Sequence, residues 1–113
     1  MMRPAIFAVV AAFAVLLVLS GCSSKPGEFD SLAQCLSEKG VIMYGTEWCP
    51  HCKDQKQLFG SSFEYINYVN CDLNRKACAD AEVQGYPTWV INGESFAGTR
   101  ALAELAARSG CAE

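Results

Sequence analysis

Trp48-Cys49-Pro50-His51-Cys52 is the stretch on which the reading of this chain turns. Two cysteines stand two residues apart, with proline and histidine between them. Val41-Ile42-Met43-Tyr44 precedes them as an apolar run of strand length. Lys53-Asp54-Gln55-Lys56-Gln57-Leu58-Phe59 follows as a helix-compatible run that stops at Gly60. A strand, a tight turn and a helix with Cys49 at its start is the layout of a thiol–disulfide exchange site. The physical reason lies in the helix N-terminus, whose unpaired N–H groups and partial positive charge stabilise a thiolate. Pro50 loses nothing at a first helical position, because it has no N–H and its φ is already set. His51, the single histidine of the chain, would favour the thiolate further as an imidazolium.

Working outward, Phe29, Leu32 and Leu36 recur at helical spacing, with Ser31 and Gln34 as a capping box and Gly40 as a stop. This predicts a first helix over Asp30–Lys39 and a first strand over Val41–Gly45. The second helix runs from Cys49 to about Phe59. Glu64-Tyr65-Ile66-Asn67-Tyr68-Val69-Asn70 reads as a second strand, aromatic and β-branched with partial alternation. The strand–helix–strand spacing predicts a right-handed βαβ unit. A short helix over Arg75–Val83, capped by Asn74, comes next. Asn92-Gly93 between Thr88–Ile91 and Glu94–Ala97 is a two-residue hairpin signal. The last helix extends from a Thr99 cap through Leu102, Leu105 and Ala106 to Gly110.

The first part of the chain reads as targeting rather than fold. Arg3 is followed by an uncharged apolar run from Ala5 to Leu19, within signal-peptide length and short for a membrane span. It ends in Leu19-Ser20-Gly21-Cys22, which resembles a bacterial lipoprotein signal, with cleavage before Cys22 and lipid on that cysteine. The alternatives are an ordinary signal peptide or an uncleaved anchor. The division is therefore 1–21 as a cleaved signal, 22–29 as lipidated cysteine and spacer, and 30–113 as one domain. Loss of Arg3 with the signal takes the formal net charge from −3 to −4. That charge and the absence of any Lys/Arg run offer nothing to nucleic acid. Seven cysteines in 113 residues suit an exported, disulfide-permissive location.

The order helix, strand, helix, strand, helix, strand, strand, helix, together with Trp48-Cys49-Pro50-His51-Cys52, resembles the thioredoxin fold without its extra N-terminal strand. Thr46-Glu47-Trp48-Cys49, Asp72 and Gly85-Tyr86-Pro87-Thr88 are local matches. The layout and extra cysteines are similar to the thioredoxin-like domain that bacteria and plants fuse to, or pair with, membrane vitamin K epoxide reductase homologues. The resemblance implies an α/β domain with a central mixed four-stranded sheet flanked by helices. Most X–Pro bonds are trans, but the resemblance implies that Pro87 is cis and lies against the active cysteines. Tyr86, the residue before it, would then offer its backbone to an extended substrate. Trp48 is either a core aromatic or an apolar shoulder beside the site. One departure stands out: the family's buried acid six residues before the first cysteine is Met43 here. Glu47, close to the turn, reads as a solvated charge.

The resemblance implies a thiol–disulfide oxidoreductase that needs no cofactor beyond the Cys49/Cys52 pair. Cys49 would be the exposed nucleophile and Cys52 the resolving thiol. The Pro-His pair resembles that of the DsbA-type periplasmic oxidants, and a stabilised thiolate makes the disulfide more oxidising. The expected activity is donation of disulfides to exported protein thiols, with recharging by a membrane quinone-linked partner of the vitamin K epoxide reductase type. A reductase or isomerase fed from the membrane, and a non-catalytic binding module, are the alternatives. The expected location is extracytoplasmic and membrane-anchored. Ser23 stands where an Asp would favour inner-membrane retention, which leaves the outer membrane open in a two-membrane bacterium. A zinc site built from Cys49, Cys52, Cys71 and Cys78 is disfavoured by the loose second spacing, so no metal is expected. Of the remaining cysteines, a reversal at Asp72-Leu73-Asn74 could join Cys71 to Cys78, which leaves Cys35 for Cys111. The pair Cys71/Cys78 is either a staple or a redox relay to Cys49/Cys52.

Overall fold

The computed structural model describes residues 26–113. Cys22 and the signal segment lie outside the described residues. The elements are α1 (Asp30–Glu38), β1 (Ile42–Gly45), α2 (Pro50–Phe59), a 3₁₀ segment (Gly60–Tyr65), β2 (Asn67–Asn70), α3 (Arg75–Asp80), β3 (Thr88–Ile91), β4 (Glu94–Ala97) and α4 (Leu102–Ser109). The sheet order is β2-β1-β3-β4. β1 and β2 are parallel, and the other two pairings are antiparallel. This is the expected mixed four-stranded α/β architecture, with the expected element order.

The sheet separates two apolar clusters because side chains alternate along each strand. Met43, Trp89 and Ile91 join Leu32 and Leu36 of α1, Phe59 of α2 and Leu105 of α4 in the main core. Tyr44, with Ile42, Val69 and Val90, packs in a second cluster with Cys71, Cys78 and Val83. Asn92 and Gly93 both take positive φ, 51° and 81°, which suits a two-residue turn whose twist matches its strands. Gly110 ends α4 in the left-handed conformation.

Several element ends differ from the sequence expectation, most of them through a contact with a distant residue. The Ser31/Gln34 capping box does not form, and Phe29 takes the N-cap position with no side-chain cap bond. Instead Asp30 accepts from the Gly27 N–H and from the Ser62 hydroxyl, while Ser62 Oγ accepts from the Phe29 N–H. The second strand begins at Asn67 rather than Glu64, because β1 has four residues to pair and matches them to Asn67–Asn70. The preceding residues wind into the 3₁₀ segment, which sets Phe63 between the rings of Phe59 and Tyr68. α3 stops at Asp80, and Asn74 gives its side-chain amide to the Asn70 carbonyl rather than capping. Thr99 does not cap α4: its hydroxyl donates to the His51 carbonyl, and the helix starts at Leu102.

Among the described residues two disulfides are formed. Cys35–Cys111 ties α1 to the segment after α4, and Cys71–Cys78 closes the β2–α3 turn. Both Cα separations, 6.0 and 5.7 Å, lie in the range a disulfide spans. With Cys71 and Cys78 bonded to each other, the four-thiolate zinc arrangement is not formed.

Candidate active site

β1 ends at Gly45 beneath the site, and the turn Thr46-Glu47-Trp48 carries the chain to the start of α2. Cys49 is the N-cap residue of α2 rather than part of its first turn, with Pro50 at the first helical position. Its backbone is extended, so its sulfur turns back over the helix end and accepts the Cys52 N–H at 3.4 Å. The sulfur therefore takes the place that a Ser or Asp oxygen takes at other N-caps. The S–H of Cys49 points the other way, to the Tyr86 carbonyl at 3.6 Å. The Tyr86–Pro87 peptide is cis.

Cys49, expected to be exposed, is buried with only 5% of its surface accessible, because its sulfur folds back over the helix end and against Tyr86; Cys52 is fully buried, and neither is in a disulfide. Cys52 lies over Gly45 so closely that a Cβ there would come within 2.7 Å of Cys52 Sγ. Only a residue without a side chain fits under that sulfur. Burial pushes the Cys52 thiol up to about 11, and the neighbouring Cys49 sulfur adds to the effect, while a hydrogen bond from the Thr46 backbone works against it.

Trp48 is 62% exposed. Its Nε1–H donates to Asp72 Oδ2 at 2.8 Å, and its ring meets that of Tyr86 edge to face at 6.1 Å. It is the shoulder of the site, not a core aromatic. Beside it a cleft of about 330 Å³ is lined by Cys71, Asp72, Arg75, Cys78, Val83 and Tyr86, among others. The Cys71–Cys78 disulfide thus borders the same cleft as Tyr86. His51 is exposed, and its carbonyl accepts from Thr99. Pro87 is buried, and its carbonyl accepts from the Gly98 N–H at 2.7 Å.

Residues 22–108 match the thioredoxin family. The chain belongs to the thioredoxin family. Among characterised thioredoxin-family proteins it is 43% identical over 89 residues to "Thiol-disulfide oxidoreductase LTO1" of Arabidopsis thaliana, which covers 71% of this chain and 24% of that protein. It is 28% identical over 74 residues to "Protein disulfide-isomerase MPD1" of Saccharomyces cerevisiae, covering 58% and 23%. The chain thus spans about a quarter of the length of these relatives. Among solved structures, Fasciola hepatica thioredoxin covers 70% of the chain and is itself covered over 88%, at a TM-score of 0.48 and 22% identity. The family match and the mixed four-stranded sheet make the chain a thioredoxin-fold protein, with Cys49 and Cys52 as a pair of free cysteines at the start of α2. Among its described residues no group of three or more His, Cys, Asp or Glu is placed to hold a metal ion.

Sequence reasoning passed over several residues that shape this thioredoxin-fold site. Gly45 is one. Gln55 is another: it is fully buried, its Oε1 accepts from Trp89 Nε1 and the Arg100 N–H, and its Nε2 donates to the Arg100 carbonyl. The signal was available, since Gln55 is a polar residue on the helical stripe of Cys52 and Phe59. Glu47, read as a solvated charge, is 63% exposed but engaged. It accepts from Lys56 Nζ and from the Tyr68 hydroxyl, both at 2.7 Å.

Proposed function

We propose that this protein is a lipid-anchored, extracytoplasmic thiol–disulfide oxidoreductase that donates disulfides to exported proteins. The observation that carries the reading is the asymmetry of the pair. Cys49 caps α2 beside the Tyr86 carbonyl and keeps a small accessible surface, whereas Cys52, one turn further in, has none. A sulfur at a helix N-terminus is the better nucleophile and the better site of attack, while a buried one is reached only from its neighbour.

In the oxidising direction the protein begins with a Cys49–Cys52 disulfide. A substrate thiolate attacks Cys49 Sγ, the S–S bond breaks, and Cys52 leaves as a thiolate that takes a proton. A second substrate thiolate then attacks the substrate sulfur of the mixed disulfide and displaces Cys49. The substrate loses two electrons and the protein dithiol gains them. The Tyr86 carbonyl, now occupied by the Cys49 S–H, faces the place where an extended substrate backbone would lie. Trp48 and the cleft lined by Tyr86 and Val83 would receive the flanking side chains. Recharging falls to a membrane quinone-linked partner of the vitamin K epoxide reductase type, which an anchor on Cys22 would keep at the membrane surface. The lipidated residue, the membrane face and this partner rest on the N-terminal sequence pattern and the family resemblance. The Arabidopsis relative, named a thiol–disulfide oxidoreductase, supports the chemistry.

One experiment tests the reading. The full chain carrying Cys52→Ser is expressed with and without Cys22→Ala, and captured from membrane and soluble fractions without reductant. The Cys52→Ser chain accumulates mixed disulfides through Cys49 in the membrane fraction, and Cys22→Ala moves them to the soluble one. The double variant Cys49→Ser/Cys52→Ser traps none. Equal trapping by single and double variants sinks the site assignment, and an unmoved Cys22→Ala chain sinks the anchor. A reduction potential of the pair near the thioredoxin value of about −270 mV would replace donation by the reductase reading.

A further inference from the structure

Cys52 must become a thiolate whenever exchange passes through it, yet its sulfur is buried and holds its proton tightly. The strand position where the family keeps a carboxylate is the fully buried Met43. A charge on α2 itself acts on this sulfur instead. Lys56 follows Cys52 by four residues, one turn along the same face of α2. Its ammonium is held in place. Nζ lies 2.7 Å from Glu47 Oε2, 4.4 Å from the centre of the Tyr68 ring and 5.5 Å from that of Phe63. The Tyr68 hydroxyl donates to the same Glu47 oxygen. The edge of the Tyr68 ring closes on Gly45, the residue over which Cys52 Sγ also sits. Sulfur, ring and ammonium thus share one corner between α2, β1 and β2.

We propose that Lys56 is the fixed positive charge that stabilises the Cys52 thiolate during exchange, in place of a buried carboxylate relay. The proposal rests on Cys49 as the attacked sulfur and Cys52 as the resolving one. The titratable groups around Cys52 are Cys49 at the N-cap of α2, Lys56 on α2, Glu47 on the preceding turn, Tyr68 on β2 and Asp72 on the turn after it. Tyr68 is no base here: burial and its bond to Glu47 hold its proton on. Glu47 is held ionised chiefly by its hydrogen bond to Lys56, and is the more exposed partner, at 63% against 26%. Water screens the exposed carboxylate more than the half-covered ammonium, so of this ion pair Lys56 is the member whose charge favours the thiolate at the buried sulfur. When the reduced protein resolves a mixed disulfide, Cys52 gives its proton to water and its thiolate attacks Cys49 Sγ. The Cys49–substrate bond breaks, and the substrate sulfur leaves as a thiolate and takes a proton from water. In the oxidising direction Lys56 stabilises the same thiolate as leaving group.

The test reacts the reduced full chain with oxidised glutathione, quenches in acid at intervals, and follows the glutathionylated fraction by mass across pH. The Cys52→Ser chain keeps glutathione on Cys49. If it releases glutathione as fast as the native chain, the Cys49/Cys52 assignment fails and not merely the role of Lys56. Against that control, Lys56→Met should move the pH profile of Cys52-dependent release upward by about one unit, which is about tenfold slower release at neutral pH. Lys56→Arg should stay near the native profile. A folded Lys56→Met chain that tracks the native profile throughout overturns the proposal. The native chain supplies a second arm that needs no variant: raising salt to about 1 M, where screening reaches a few ångströms, should slow release at neutral pH. Insensitivity to salt overturns the proposal equally.

Discussion

At the scale of the residue, Cys52 shows how burial sets reactivity. An exposed thiol gives up its proton near pH 9, and this one holds it to about 11 because the thiolate would lose its water. The consequence for stability has a definite sign. Between those values the folded, reduced protein keeps a proton that the unfolded chain releases, so the unfolded state is favoured as pH rises. The contribution is complete below pH 9 and is lost as pH climbs through about 11. Two units correspond to roughly 2–3 kcal/mol. Denaturant unfolding of the reduced native chain should therefore weaken by that amount over this window relative to Cys52→Ser, which lacks this thiol and keeps every other titrating group. Parallel stability curves for the two proteins would remove burial as the cause.

At the scale of the element, α2 is held by polar bonds as much as by its apolar face. Gln55 bridges the helix to Trp89 of β3 and to both backbone groups of Arg100 in the loop before α4. Thr99, one residue earlier, fastens the same loop to the His51 carbonyl in the first turn of α2. The helix that carries both cysteines is thus tied at two heights to one loop. Gln55→Leu keeps the volume near the same but leaves the indole N–H and the Arg100 N–H buried without partners. Each orphaned donor costs about 1–3 kcal/mol, so a loss of about 2–4 kcal/mol is expected from urea midpoints. A loss below about 0.5 kcal/mol would mean that water replaces the amide and that the tie is not structural.

At the scale of the whole molecule, two disulfides support a domain whose core is small. Cys35–Cys111 closes 76 residues of separation and Cys71–Cys78 closes 7. Constraint of the unfolded chain predicts about 4 kcal/mol from the long loop and about 2 kcal/mol from the short one. Cys35→Ser/Cys111→Ser should therefore destabilise the protein more than Cys71→Ser/Cys78→Ser, and the reverse order in equilibrium unfolding would refute the chain-entropy account. We propose that Cys71–Cys78 is also a staple, joining Tyr44 in the second apolar cluster beneath the cleft. Its persistence at potentials that fully reduce Cys49–Cys52 would bear this out, and joint equilibration would make it a relay instead.

What the amino-acid order determined by itself was local. The Asn92-Gly93 turn, the Gly110 stop, the helix opening at Pro50 and the succession of elements follow from backbone preferences within a few residues. Tertiary structure decided wherever a distant partner outbid the local pattern. Ser62 and Asp30 replaced the capping box at Ser31 and Gln34. The four residues of β1 set how much of the Glu64–Asn70 run could pair. Thr99 went to the His51 carbonyl, not to α4. Glu47 read as a free surface charge because Lys56 and Tyr68 are nine and twenty-one residues away. Gly45 looked like any strand end until Cys52 Sγ came to lie over it. A motif of four residues marks the two sulfurs that stay out of the structural disulfides, whereas their surroundings are assembled from β1, β2, β3 and the loop before α4, which meet only once the chain has folded.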